Sequence, residues 1–129
     1  MTLSVCQLDF ILNYLADKPG PPGQPNIVLI QKGAATLRWT KSLSDGGSSI
    51  TSYRIEKRTV GGYRWDLVNP SDKVIDVTYT LTDLQPDTEY EFRIIAENKV
   101  GVSTPSTASR SAKYGTDLKL DGRFNFVSL

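Results

Sequence analysis

Short runs in which apolar and polar residues alternate recur along most of this chain of 129 residues, and turn residues separate them. Within residues 35–40, Leu37 and Trp39 fall on one side of an extended backbone, while Arg38 and Thr40 fall on the other. A period of two is that of a half-buried β-strand. The pattern therefore predicts an all-β chain without a long helix in this region.

Six further runs of the same kind predict about seven strands in total. Turn residues interrupt them, and we expect Gly46 and Gly47 to supply the positive φ angles of the turn at 44–49. Many short strands at this spacing favour a two-sheet antiparallel sandwich of the immunoglobulin-like type. The remaining predicted strands are 26–31, 50–58, 63–68, 74–81, 89–97 and 106–113.

The two ends of the chain differ in composition from this region. Residues 18–25 hold four prolines, which predict an extended, polyproline-like joint between modules. Residues 1–17 form a leader that is predicted to be either an amphipathic helix, with Val5, Leu8, Leu12 and Leu15 on one face, or a disordered or packed tail. We expect residues 115–129 to be a mobile tail, because an Asp121–Gly122 hairpin would place its leucines and phenylalanines on opposite faces unless a bulge intervenes.

A family resemblance rests on several of these residues together. Trp39, Tyr53, the corner at 84–90 and the run at 96–103 resemble the signature of the fibronectin type III family, over residues 18–114. The resemblance implies a sandwich core containing Trp39, Tyr53, Leu84 and Tyr90. It also places Tyr90 in a tyrosine corner, in which the phenol hydroxyl is hydrogen-bonded to the backbone a few residues upstream.

A narrower resemblance concerns role. The segments 18–23, 45–47, 53–58 and 96–98, together with Trp65, are similar to the type III modules of titin, twitchin and myosin-binding protein C. That class implies a monomeric, non-catalytic spacer or contact domain of an intracellular, sarcomeric protein. Its implied partners are a thick-filament, myosin-like protein or neighbouring immunoglobulin and type III modules. The alternative is an extracellular module of a cell-adhesion or signalling receptor.

The residue composition speaks against several other functions. The chain has no histidine, which is the commonest general base and metal ligand, and Cys6 has no partner that would make it a nucleophile. We therefore predict no catalytic residues, metal, cofactor or small-molecule substrate. A net charge of +1 gives no general attraction to nucleic acid or to acidic membranes. Since the single cysteine lies outside 18–114, no disulfide can form there, which favours the cytoplasm but is also compatible with an extracellular module.

The outward-facing charges and aromatic residues supply the candidate protein-binding surface. We predict that it comprises Arg54, Arg58, Tyr63, Trp65 and Arg93, because aromatic residues and arginine dominate interface hot spots. The alternative is structural, with cross-strand ion pairs between these arginines and outward glutamates, each contributing about 0.2–1 kcal/mol. In that alternative Trp65 is stacked under arginine side chains within the domain.

Overall fold

The computed structural model describes residues 15–118 and 124–128, with side chains described for residues 15–115. Its strands, in chain order, are β1 (Asn26–Gln31), β2 (Ala34–Arg38), β3 (Ser52–Thr59), β4 (Asp66–Leu67), β5 (Thr78–Leu81), β6 (Tyr90–Glu97), β7 (Ala112–Leu118) and β8 (Phe124–Ser128).

The strands form two antiparallel sheets. One has the order β1-β2-β5, and the other has the order β4-β3-β6-β7-β8. The predicted two-sheet antiparallel sandwich is therefore confirmed. The longest continuous register is that of β3 against β6, in which eight residue pairs run from Ser52↔Glu97 to Thr59↔Tyr90.

The core lies between the sheets and follows the alternation in the sequence. Leu37 of β2 and Trp39, which directly follows β2, pack with Tyr53 and Ile55 of β3, and all four side chains are buried. The Trp39 and Tyr53 rings meet edge to face with their centroids 5.5 Å apart, a favourable geometry for aromatic pairs. The other buried apolar residues include Ile30, Leu81, Leu84, Tyr90, Phe92, Ile94 and Ala96.

The corner before β6 is fixed by Tyr90. Its hydroxyl accepts a hydrogen bond of 2.8 Å from the backbone N–H of Gln85, which is the geometry of a tyrosine corner. Tyr114 ties the same corner to β7, because its hydroxyl donates to the carbonyl of Leu84 over 2.7 Å.

Several predicted strands are shorter or lie elsewhere in the structure. Of residues 63–68 only Asp66–Leu67 is strand, so Trp65 lies in the loop before β4. Of residues 74–81 only Thr78–Leu81 is strand, and Val74 makes an isolated bridge to Tyr53. Alternation marks which side chains are buried, but it does not mark where the backbone stops pairing with a neighbour.

The predicted last strand at 106–113 is wrong in its position, since β7 begins at Ala112. Residues 103–109 instead border β6 through serine side chains, an arrangement called here the serine ladder. Each of its serines donates its backbone N–H to a β6 carbonyl over 2.7–2.8 Å and accepts the N–H of the same β6 residue on its hydroxyl over 2.9–3.0 Å. The pairs are Ser103 with Ala96, Ser106 with Ile94 and Ser109 with Phe92.

In the proline-rich segment, buried residues also recur at every third position. In residues 17–25, called here the N-terminal ribbon, Pro19, Pro22 and Pro25 are buried. The N–H groups of Gly20 and Gly23 donate to the carbonyls of Ser44 and Thr40 over 2.9 and 3.1 Å. This segment therefore packs along the sandwich.

Asn98 holds the start of the ribbon. Its side chain is 3% exposed, and its amide Nδ2 donates to the carbonyls of Asp17 and Asp45 over 2.7 and 2.8 Å. The backbone N–H of Asp17 donates to the carbonyl of Gly46 over 2.7 Å. Gly46 has the predicted positive φ, and a Cβ there would lie 2.1 Å from the Asp17 carbonyl oxygen. Only glycine therefore allows the ribbon to approach this turn so closely.

The two ends of the chain are described only in part. Residues 1–14 of the predicted leader lie outside the described residues, and Leu15 has helical secondary structure. At the other end the backbone of 115–118 and 124–128 lies in β7 and β8, with a register shift between Tyr114 and Leu118. The hairpin turn considered at Asp121–Gly122 lies outside the described residues. Mobility of the tail stays a prediction, and no helix within the described ranges is long and apolar enough to span a membrane.

Candidate protein-contact surface

The candidate surface is the outer face of β3 and β6, and its charges face one another across the strands. In the register of these strands, Arg58 lies opposite Glu91 and Glu56 lies opposite Arg93. Arg58 Nε donates to a Glu91 oxygen over 2.8 Å, and Arg93 Nε donates to a Glu56 oxygen over 2.6 Å. Both pairs are partly buried, with the side chains 18–29% exposed.

Arg54 occupies a more open position on the same face. Because the register places it opposite Ile95, it reaches diagonally to Glu97, and the two charged groups are 3.5 Å apart. Ile95 is buried although alternation directs it outward. Cross-strand pairs of this kind contribute about 0.2–1 kcal/mol each, and exposure lowers the value for the Arg54 pair.

Trp65 joins the two inner ion pairs into one array. The guanidinium carbons of Arg58 and Arg93 each lie 4.3 Å from the centroid of its ring. Since an arginine over an aromatic face is attracted by the ring quadrupole, Trp65 and the two arginines hold the loop before β4 against the sheet. The structural alternative considered from the sequence is therefore present in the structure, with the carboxylates of Glu56 and Glu91 completing the array.

Tyr63 lies apart from this array, at the tip of the loop. Its side chain is 99% exposed, and it follows a turn in which Gly62 N–H donates to the carbonyl of Thr59 over 2.8 Å. Gly61 has φ of 88°, a conformation that side chains other than glycine rarely adopt. Arg64, which was not predicted from the sequence as a contact residue, is exposed beside it and pairs with Asp66 over 2.9 Å.

The structure thus divides the five predicted contact residues into two groups. Arg58, Trp65 and Arg93 form a stacked, charge-paired array, while Arg54 and Tyr63 are the more accessible members. The face has no excess of either charge, because its three arginines are matched by Glu56, Glu91 and Glu97. Such a face is suited to contact with protein, whereas three carboxylates oppose phosphate groups.

A shallow pocket of about 410 Å³ borders this face, and structural hydrogen bonds occupy its polar groups. The buried Asn69 accepts the N–H of Ile55 and donates to the carbonyls of Tyr53 and Asp72. Burial, followed by the nearby Asp72 carboxylate, raises the pKa of Tyr79, whose hydroxyl donates to that carboxylate over 3.3 Å. Within residues 15–115, no cluster of three acidic, cysteine or histidine side chains is placed to hold a metal ion.

Comparison with known proteins agrees with this geometry. The model of the fibronectin type III domain matches residues 20–112. Over 92 residues the chain is 41% identical to titin of Drosophila melanogaster. The matched region covers 71% of this chain and, rounded to the nearest per cent, 0% of that protein. Over 98 residues it is 38% identical to contactin-3 of Mus musculus, with 74% of this chain and 9% of that protein covered.

A solved structure with the same fold is the twitchin kinase region from C. elegans. It superposes with a TM-score of 0.70 at 36% identity, covering 84% of this chain and 19% of that one. The chain spans less than a tenth of the length of the curated relatives it matches. A domain of this family is as a rule a non-catalytic module, although some relatives carry a kinase in the same chain. From its fold, its corner at Tyr90 and these matches, the chain belongs to the fibronectin type III family.

Proposed function

We propose that this chain is a non-catalytic spacer and protein-contact module of an intracellular, filament-associated muscle-type protein. The match to titin and the likeness to the twitchin kinase region support this role. The observation that carries the contact function is the outer face of β3 and β6. Its stacked array provides a firm, charge-balanced platform, and Tyr63 projects from the loop beside it.

The division of this face indicates which residues a partner contacts. Arg58 and Arg93 already have a carboxylate and the Trp65 ring as partners, so their substitution disturbs the platform. Arg54 and Tyr63 are accessible, and their side chains can be removed with little effect on the array. We propose that these two residues make the first contacts, with a myosin-like filament protein or with a neighbouring module.

The test is co-sedimentation of the chain with myosin thick filaments over a series of salt concentrations. Arg54→Ala/Tyr63→Ala should lose most of the binding of the unmodified chain. Arg38→Ala, an exposed arginine on the other sheet, is the matched control and should bind normally. Trp65→Leu should bind less tightly because it releases the loop.

Two results would contradict the contact role. One is equal binding by Arg54→Ala/Tyr63→Ala and the unmodified chain, and the other is no binding at low salt. The second result would leave only the spacer role.

The second candidate function is that of an extracellular module of an adhesion or signalling receptor, which the match to contactin-3 supports. An antibody against the domain distinguishes the two compartments in cells that express the parent protein. Staining of intact cells would favour the extracellular candidate. Staining that requires permeabilisation would favour the filament role.

A further inference from the structure

The arginines of this chain differ in whether a carboxylate accompanies them. Each arginine on the outer face of β3 and β6, and Arg64 in the loop beside it, forms an ion pair with a glutamate or an aspartate. Arg38 on β2 and Arg110 before β7 are exposed, and neither side chain forms an ion pair or a hydrogen bond with residues 15–115. Their guanidinium N–H donors are therefore available to a ligand.

Asn26 brings these two arginines to the same border of the sandwich. In the register of β1 and β2, Asn26 lies opposite Arg38, so the two side chains leave the same face of the sheet. Asn26 also lines a small pocket of about 240 Å³, whose other lining residues are Gln24, Pro25, Ile27 and Arg110. None of these lining residues is acidic, so the pocket presents amide groups and unpaired positive charge.

The wall of the pocket is held in place from two sides. Gln24 Nε2 donates to the carbonyl of Ala108 over 2.8 Å, which joins the N-terminal ribbon to the serine ladder. Pro25 is fully buried, and the N–H of Gly23 donates to the carbonyl of Thr40. A ligand therefore does not have to order this part of the chain when it binds.

An apolar contact lies at a fixed distance from the charged pocket. A register shift after Ile27 places Leu29 opposite Thr36, on the same outer face as Asn26, and Leu29 is 50% exposed. Three residues of a strand separate Asn26 from Leu29 by about 10 Å. A free inorganic anion would use only the arginines, whereas an extended peptide can meet both the pocket and Leu29.

We propose that this border binds an acidic, extended peptide segment of a partner protein. A carboxylate of the peptide occupies the pocket beside Asn26, between the guanidinium groups of Arg38 and Arg110, where charge-assisted hydrogen bonds are strong. An apolar side chain three residues away in the peptide contacts Leu29. The site lies outside the outer face of β3 and β6, so it does not depend on the proposed filament contact.

The test uses a seven-residue peptide with blocked ends, a central glutamate, a leucine three residues to either side of it, and serine elsewhere. The symmetrical spacing allows either chain direction. Titration into the isotope-labelled chain should shift the NMR amide signals of Asn26, Leu29 and Arg110. A peptide with glutamine at its centre should bind about three- to fivefold less tightly, as expected of partly exposed ion pairs.

Substitutions in the chain separate the two parts of the site. Arg38→Gln and Arg110→Gln should each raise the dissociation constant about three- to fivefold. Leu29→Ser should weaken binding of the leucine peptide but not of a peptide in which serine replaces both leucines. Lys73→Gln removes one exposed positive charge elsewhere and is the matched control, which should bind normally. Thermal unfolding of each variant confirms that the sandwich remains folded.

Any of four results would overturn the proposal. The first is an absence of shifts at Asn26 and Arg110, and the second is equal affinity for the glutamate and glutamine peptides. The third is a loss of binding in Lys73→Gln as large as that in Arg110→Gln, because only net charge would then matter. The fourth is equal binding of inorganic phosphate or a sulfated disaccharide at these signals, because the surface would then accept anions without selecting a peptide. Arg110→Gln should leave co-sedimentation with thick filaments unchanged, which keeps this test separate from that of the filament contact.

Discussion

The β3–β6 pair and the two borders of the sandwich satisfy their backbone hydrogen bonds in different ways. Between β3 and β6, eight residue pairs follow one register, and alternate side chains enter the core. Along the serine ladder and the N-terminal ribbon the repeat is three residues, with buried serines in one and buried prolines in the other. The borders thus close the sheets without adding a further regular strand.

The difference separates two sources of stability. In the period-two region the free energy comes mainly from apolar burial, which depends on volume and packing. At the borders it comes from individual polar contacts, and along the serine ladder the loss of one leaves a buried β6 group without its partner. Substitutions should therefore have graded effects in the first region and position-specific effects at the second.

The largest effect is expected in the period-two core. Trp39→Ala removes the ring that meets Tyr53 between the sheets, and it should lower the free energy of unfolding by about 3–5 kcal/mol. Urea denaturation measures the change, and Tyr63→Ala is the control for loss of an exposed aromatic residue. A loss for Trp39→Ala as small as that of the control would show that the core does not depend on this contact.

A matched pair of glycines tests the approach of the ribbon. Gly46 and Gly61 both have positive φ, but a Cβ at Gly46 would collide with the backbone of Asp17, while one at Gly61 has nothing within 4 Å. Gly61→Ala should cost about 1–2 kcal/mol for the conformation alone, and Gly46→Ala should cost more. Hydrogen exchange at Gly20 should also accelerate only in Gly46→Ala. Equal losses in the two variants would mean that the ribbon moves aside freely.

The serine ladder provides the third comparison. Ser106→Ala removes the hydroxyl that accepts the buried N–H of Ile94, and we expect a loss of about 1–3 kcal/mol. Thr107→Ala, at the next and exposed residue, should change the free energy of unfolding little. Chemical denaturation of both variants gives the two values. If Ser106→Ala is as stable as Thr107→Ala, water replaces the hydroxyl and the ladder is not a source of stability.

The smallest effect concerns pH. Burial raises the pKa of Tyr53 above its ordinary value of 10.0, so the folded chain holds this proton more tightly than the unfolded chain. The resulting stabilisation is complete below that ordinary value and is lost as the pH rises through the pKa of the folded state. Denaturation between about pH 8 and 11 should show the loss, and Tyr53→Phe should reduce it.

The sequence was most informative where a period of two coincides with burial. Leu37, Tyr53, Ile55 and Phe92 could be assigned to the core because alternation follows directly from the geometry of a strand. The pairing of Arg58 with Glu91 was also predictable once the register of β3 against β6 was assumed. The burial of Ile95 was not predictable, because alternation places it on the outward face of β6.

The borders were predicted less well for a physical reason. The serines of the ladder occur at every third residue, so a search for alternate apolar residues does not detect them. Their hydroxyls accept β6 backbone N–H groups that a neighbouring strand's carbonyls would otherwise accept. The prolines of 18–25 correctly indicated an extended segment, but proline content does not show whether such a segment packs on the domain. The regular spacing of Gly20 and Gly23 was the available sign.

The spacing of hydrogen bonds along the N-terminal ribbon has a mechanical consequence. Asp17, Gly20 and Gly23 are attached to the sandwich at intervals of three residues. A force that draws the N-terminal end away from the domain loads these attachments one after another. Each release would free three residues, which span about 9 Å in an extended conformation. We therefore expect a pull on the N-terminal end to detach the ribbon in steps before β3 and β6 separate.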